Sequence, residues 1–128
     1  MARTNEDPTA DDQLSKVFAA LADPTRRDLV ARLAISDATV GQLAAPYSMS
    51  LQAVSKHLRV LEACGLVTQR RDAQRRPRHL EAGVFELMTG WIDRYRKQAE
   101  ERFRRLDAVL AQMEDEDTTT NPQEGTTP

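Results

Sequence analysis

The stretch from Ser50 to Gly65 constrains this chain more than any other. Leu51, Val54, Leu58 and Leu61 recur at helical steps, with Ser50 placed to cap the first turn and Gly65 to end the last. At about 100° per residue, Gln52, Lys56 and Arg59 gather nearly opposite that apolar sector. A helix of this kind buries one face in its own fold and offers a polar, cationic face to something else. The segments around it are short. Leu14, Val17, Phe18 and Leu21 predict a first helix that stops at Asp23-Pro24. Asp23 caps a second helix carrying Leu29, Val30 and Leu33, and Thr39 caps a third with Val40, Leu43 and Ala44 before Pro46. Beyond Gly65, LVTQRRD and PRHLEA predict two short strands across a polar AQRR connection. From about Val84 to Met113 no proline interrupts a helical pattern, although Gly90 weakens it by about 1 kcal/mol relative to alanine.

The order of elements is a winged helix-turn-helix layout: mainly α with a small β-hairpin, followed by a long C-terminal dimerisation helix. Residues 1–13 read as a disordered acidic tail, 14–82 as the winged domain, 83–113 as the long helix and 114–128 as a second disordered acidic tail. A chain of 128 residues suits one core, and 40% apolar with 30% charged residues excludes collagen-like, wholly disordered and membrane classes. No apolar run reaches the roughly 18 residues of a membrane helix and no secretory signal opens the chain, so a cytoplasmic protein is expected. Cys64, the single cysteine, excludes an internal disulfide and a thiolate metal centre within one chain. It reads as a small buried residue rather than a redox switch.

The net charge of −2 conceals a strong asymmetry. Residues 1–13 carry −3 and residues 111–128 carry −5, which leaves +6 on residues 14–110. The densest part is 52–79, at +5, where Lys56, Arg59, Arg70, Arg71, Arg75, Arg76 and Arg78 face only Glu62 and Asp72. A solvated basic surface is the plain alternative to a polyanionic partner. The placement on the 50–64 helix and the 66–82 hairpin favours the partner: a projecting helix suits a major groove about 12 Å wide, and a wing reaches adjacent phosphates or the minor groove. Gln52 in the first turn can read adenine bidentately. Lys56 or Arg59 can reach guanine or phosphate, and Ser50 and Ser55 can donate to backbone oxygens. Strand alternation keeps the five hairpin arginines from facing one way, so Arg75, Arg76 and Arg78 are the expected phosphate contacts, ahead of Arg70 and Arg71. His57 and His79 read as packed or hydrogen-bonded, with a phosphate contact open to His57.

FAALADPTRRDLVARL followed by SLQAVSKHLRVLEACGLVTQRRDAQRRPRHL resembles the ArsR/SmtB-type family of bacterial winged-helix repressors over residues 14 to about 110. The DPTRR start of helix two, the SKHLRVLEACGLV end of helix four and the arginine-rich wing occur together in the family's order. The resemblance implies that Gln52, Ser55, Lys56 and His57 lie on the DNA-reading helix and that Arg75, Arg76 and Arg78 belong to the wing. Many members respond to a metal. Here the family's helix-three thiolate pair is replaced by VGQLAAP, and neither histidine lies beyond position 79 for a terminal-helix site. The chain therefore resembles the metal-independent branch; no metal or cofactor is expected, and the inducing signal is not legible.

In the long segment Phe85, Ile92, Ala99, Leu106 and Met113 form one row, while Met88, Tyr95 and Val109 form another broken by Arg102. A domain of about 70 residues cannot cover a helix of roughly 40 Å. Together with the resemblance this implies a twofold dimer through Leu14, Phe18, Phe85, Met88, Ile92, Tyr95, Ala99, Phe103, Leu106 and Leu110, folding back on its own domain being the alternative. The expected function is a homodimeric, sequence-specific DNA-binding transcriptional regulator, with repression the expected sense and a near-palindromic duplex operator the partner. The rival is a winged-helix protein–protein interaction module without DNA binding. An enzyme finds no support: glycine-rich phosphate loops and paired carboxylates beside a histidine are absent from the sequence.

Overall fold

Each short helix begins where a side chain takes up an orphan backbone N–H. In the computed structural model, which describes residues 8–72 and 74–120, α1 (Pro8–Leu21) gives way at Asp23 to α2 (Pro24–Leu33). Asp23 is extended (φ −91°, ψ 130°) and its carboxylate accepts from the Arg26 N–H at 3.0 Å. Thr39 opens α3 (Val40–Ala44) with a reciprocal box: its hydroxyl accepts from Gln42 N–H, and the Gln42 side chain accepts from Thr39 N–H. Ser50 opens α4 (Leu51–Ala63) by accepting from Ala53 N–H at 3.1 Å. Gly65 ends it in the left-handed region at φ 87°, where a β-carbon would also lie 2.7 Å from the Gln13 amide nitrogen.

β1 (Val67–Gln69) pairs antiparallel with β2 (Arg78–Leu80), Val67 opposite Leu80 and Gln69 opposite Arg78. The hairpin continues past the strands through Arg70 N–H to Pro77 O at 2.8 Å and closes between Asp72 and Arg75. Ala38, just ahead of α3, exchanges both backbone hydrogen bonds with Arg78, so β2 is bonded on its second edge as well. A 3-10 turn (Ala82–Val84) leads into α5 (Phe85–Thr120).

The chain divides into one unit up to Thr89 and another from Gly90. The core of the first comes from every helix the sequence indicated: Val17 and Ala20 of α1, Leu29 and Leu33 of α2, Leu43 of α3, and Val54, Leu58 and Leu61 of α4, closed by Cys64, Leu66 and Val67. Each fully buried leucine or valine contributes about 1.5–3 kcal/mol relative to exposure. The second unit is the remainder of one 36-residue helix. Its apolar residues Ile92, Tyr95, Phe103, Leu106, Leu110 and Met113 are all exposed.

Both ends depart from expectation. Residues 8–13, assigned from sequence to a disordered tail, form the first turns of α1, because Gln13 donates to the Cys64 carbonyl at 2.9 Å and ties this segment to the end of α4. At the other end α5 continues beyond Met113 through Glu114–Asp117 to Thr120, since nothing between Gly90 and Pro122 breaks a helix. Residues 1–7 and 121–128, the rest of the two expected tails, lie outside the described residues. Phe85 and Met88, expected at a dimer interface, are half-buried in the single chain and pack against the first unit's core.

Candidate nucleic-acid interface

The turn between α3 and α4 decides what α4 can present. Arg32 donates to the carbonyls of Leu43 and Gln42, at 2.7 and 3.1 Å, and so caps the open end of α3. Its guanidinium also lies 5.5 Å from the centre of the Tyr47 ring, and the Tyr47 hydroxyl donates to Asp28. Burial, followed by the hydrogen bond to Asp28, raises the Tyr47 phenol above its ordinary value, so Tyr47 holds its proton for that bond. With Val54, Leu58 and Leu61 inward, the outer side of α4 carries Gln52, Lys56 and Arg59, all exposed. Among the described residues none of these three side chains joins a hydrogen bond or ion pair. Each is therefore available to a base edge or a phosphate.

The other predicted members of α4 have structural work as well. Ser50 is the N-cap, and its oxygen is already used by Ala53 N–H, although its own proton remains to donate. Ser55 is half-buried. His57 is half-buried, its Nδ1 3.2 Å from the Arg26 guanidinium and 3.9 Å from the Asp23 carboxylate. Arg26 also donates to the carbonyl of Ala20 at 2.6 Å, so one side chain joins the end of α1, the start of α2 and the middle of α4. The Arg26 backbone hydrogen bond is the largest influence holding the Asp23 carboxyl below its ordinary value, and the Arg26 and His57 charges act in the same direction. Spacing gives no hint of this junction, because its residues are 31 positions apart.

On the wing the arginines separate into two groups. Arg71, Arg75 and Arg76 are exposed, and among the described residues their guanidinium groups pair with no carboxylate. Arg70 is exposed and lies 3.8 Å from Glu81. Arg78, expected beside Arg75 and Arg76 as a phosphate contact, is a correction. Its side chain is 15% exposed, with Nε 2.9 Å from the Glu62 carboxylate and a terminal nitrogen donating to Arg76 O at 2.7 Å. A guanidinium so engaged ties the wing to α4 rather than reaching outward, because β2 turns position 78 toward Glu62 while the hairpin tip leaves 75 and 76 in solvent. His79 is fixed similarly, 2.9 Å from Asp37. Glu62 and Asp37 are thus positioning residues that sequence spacing did not single out.

Among the described residues no three His, Cys, Asp or Glu side chains lie together as a metal site, and no helix is long and apolar enough to cross a membrane. Cys64 is buried with its thiol donating to Leu61 O at 3.3 Å.

A capped helix with an unoccupied polar face, set beside an arginine-tipped hairpin anchored to it, defines a winged helix-turn-helix protein. A family model described as a helix-turn-helix domain matches residues 21–70, which run from the end of α1 to just past β1. The HTH-type transcriptional regulator Rv2034 of Mycobacterium tuberculosis is 42% identical over 81 residues, 62% of this chain and 75% of that one. The transcriptional repressor SdpR of Bacillus subtilis is 29% identical over 79 residues, 62% of this chain and 88% of its own. Among solved structures, the ArsR family transcriptional regulator RHA00566 is 35% identical, covers 69% of this chain and 97% of its own, and superposes with a TM-score of 0.65. The homodimeric winged helix-turn-helix DNA-binding domain of Mb0332 from Mycobacterium bovis is 27% identical, covers 73% of this chain and 90% of its own, with a TM-score of 0.57. The chain belongs to the ArsR family of winged helix-turn-helix transcriptional regulators.

Proposed function

We propose that this chain is a homodimeric, sequence-specific DNA-binding regulator of transcription, acting as a repressor in the cytoplasm on a near-palindromic operator. The observation that carries the reading is the pairing, within one unit, of a free polar face on α4 with exposed, unpaired arginines on the wing. The first can enter a major groove, and the second can neutralise the phosphates beside it. Gln52 is the base reader, with Lys56 and Arg59 on guanine or phosphate. Ser50, Ser55 and His57 donate from the edges of the same helix, and Arg75 and Arg76 grip the backbone. Arg78 belongs to the interface through its hold on Glu62.

The names of the relatives support regulation and repression, and the Mb0332 domain supports a dimer. Two α4 helices one DNA turn apart, about 34–36 Å, would read two half-sites. Bound across a promoter, such a dimer represses by occupying the site; no catalysis is required. Binding to a selected duplex should weaken steeply with salt. Gln52→Ala should relax base preference, while alanine at Arg75 and Arg76 should weaken all sequences alike and lower the salt slope. Failure to bind any duplex at low salt would refute the reading.

A further inference from the structure

The free face of α4 has two edges, and each is held by a different partner. At about 100° per residue, Glu62 lies about 120° to one side of Lys56 and His57 about 100° to the other. Glu62 takes the wing through Arg78. His57 faces the start of α2, where the Arg26 guanidinium stands 3.2 Å from its Nδ1. A guanidinium carries donors only, so the imidazole nitrogen that meets it has to accept. The ring proton is thereby left to Nε2. The Asp23 carboxylate stands 3.9 Å from Nδ1, too far for a hydrogen bond, and already accepts from the Arg26 N–H at 3.0 Å. Arg26 is itself held in place: its Nε donates to Ala20 O at 2.6 Å and a terminal nitrogen to Ala19 O at 3.4 Å. Among the described residues Nε2 of His57 has no hydrogen-bond partner, and no buried side-chain nitrogen or oxygen lacks one, so Nε2 is open to solvent.

We infer that Arg26 is a positioning residue for DNA binding: it fixes His57 in the neutral Nε2–H form, which donates to a backbone phosphate on the side of the groove away from the wing. The inference rests on the DNA-binding reading and assigns one contact within it. A helix seated in a major groove lies between two phosphate strands. Arg75 and Arg76 serve the strand beside the wing, and His57 is a donor on the opposite flank of the same helix. The two kinds of contact differ in physics. Each guanidinium that neutralises a phosphate releases a counterion, whereas a neutral N–H orients a phosphate without releasing one. Arg26 bonds at once to the last turn of α1, to the cap of α2 and to α4, so the place of the ring proton is set by the packing of three helices before any duplex arrives. A donor fixed in this way loses little freedom when it meets its phosphate.

The first test reads the free full chain. Nitrogen NMR of the His57 ring near neutral pH should show one tautomer, protonated at Nε2. Arg26→Met, which keeps an apolar stem without the donors, should let the two tautomers mix. The second test uses a duplex selected from a random pool. His57→Ala should weaken its binding roughly tenfold or more, the effect of losing a hydrogen bond to a charged group, with the salt slope unchanged. His57→Gln, whose amide nitrogen can take the place of Nε2, should restore most of the loss, and the shorter His57→Asn should not. Methylphosphonate placed at one phosphate at a time should find a position in each half-site that weakens the wild-type chain and leaves His57→Ala unaffected. A wild-type proton on Nδ1, an unmixed ring in Arg26→Met, or a salt slope that falls by about one with His57→Ala would overturn the inference and leave DNA binding intact. Absence of binding to any duplex at low salt would remove the DNA-binding reading and the phosphate contact together.

Discussion

Two amphipathic helices of this protein meet opposite fates. In α4 the apolar stripe of Val54, Leu58 and Leu61 is fully buried within its own unit, and the polar face is left outward. In α5 beyond Gly90 an equally regular stripe stays open, with Phe103 at 62% and Leu106 at 53% exposed. The sequence pattern has the same helical character in both. The difference is that α4 has α1, α2, α3 and the strands around it, whereas the described residues of the unit from Gly90 form a single helix. A satisfied stripe frees the opposite face of its helix for recognition, and an open stripe is itself a recognition surface.

The sharpest way to break this comparison is to make one substitution in both helices. Leu58→Ala should cost about 2–5 kcal/mol of folding stability, because it opens a cavity in a close-packed core. Leu106→Ala should shift the stability of the first unit by no more than about 0.5 kcal/mol while weakening self-association. Denaturant titrations combined with sedimentation at several concentrations would measure both; equal losses of folding stability would erase the distinction.

The wing sharpens it next. Arg78→Ala removes the partner of a half-buried Glu62 and should cost about 1.5–3 kcal/mol by chemical denaturation, the range for hydrogen bonds to charged groups. Arg75→Ala should leave stability nearly unchanged and lower the salt slope of DNA binding by about one. The two arginines stand three positions apart, one engaged with Glu62 and the other exposed.

Smaller still is the cap of α4. Ser50→Ala leaves the Ala53 N–H without its side-chain acceptor and should cost about 1 kcal/mol by thermal melting.

The smallest effect concerns acid. The Asp23 carboxyl titrates below its ordinary 3.8 in the folded chain, chiefly because it accepts from the Arg26 backbone. Its stabilisation is therefore fully present above the ordinary carboxylate range and is lost as pH falls through the lowered value. Asp23→Asn keeps an N-cap acceptor without the charge, so wild type should be the more stable near neutrality and the two should converge in strong acid. Parallel acid-unfolding curves with a constant gap would contradict this assignment.

Local order was legible in advance because its causes are local. Asp23, Thr39 and Ser50 cap the helices their spacing indicated, Gly65 ends α4, and the core draws on apolar positions at helical steps, although Leu51 in the first turn of α4 is 57% exposed and stays out of it. The outward placement of Gln52, Lys56 and Arg59 followed from the same periodicity. Other features depend on residues far apart in the chain. No sequence spacing indicates that Gln13 closes the end of α4 from 51 positions away, or that Arg26 meets His57. Arg78 has the same composition and neighbourhood as Arg75 and Arg76, and only the strand register that turns it toward Glu62 separates it from them.

By itself, then, the amino-acid order determined the helices, their caps, the hairpin and the faces each would show, since propensity and periodicity act over a few residues. The tertiary structure decided which charged groups are engaged and which are free, and which apolar stripe is closed within the chain. Those outcomes depend on side chains meeting across the fold, where a carboxylate within about 3 Å of a guanidinium removes it from the set that can hold DNA.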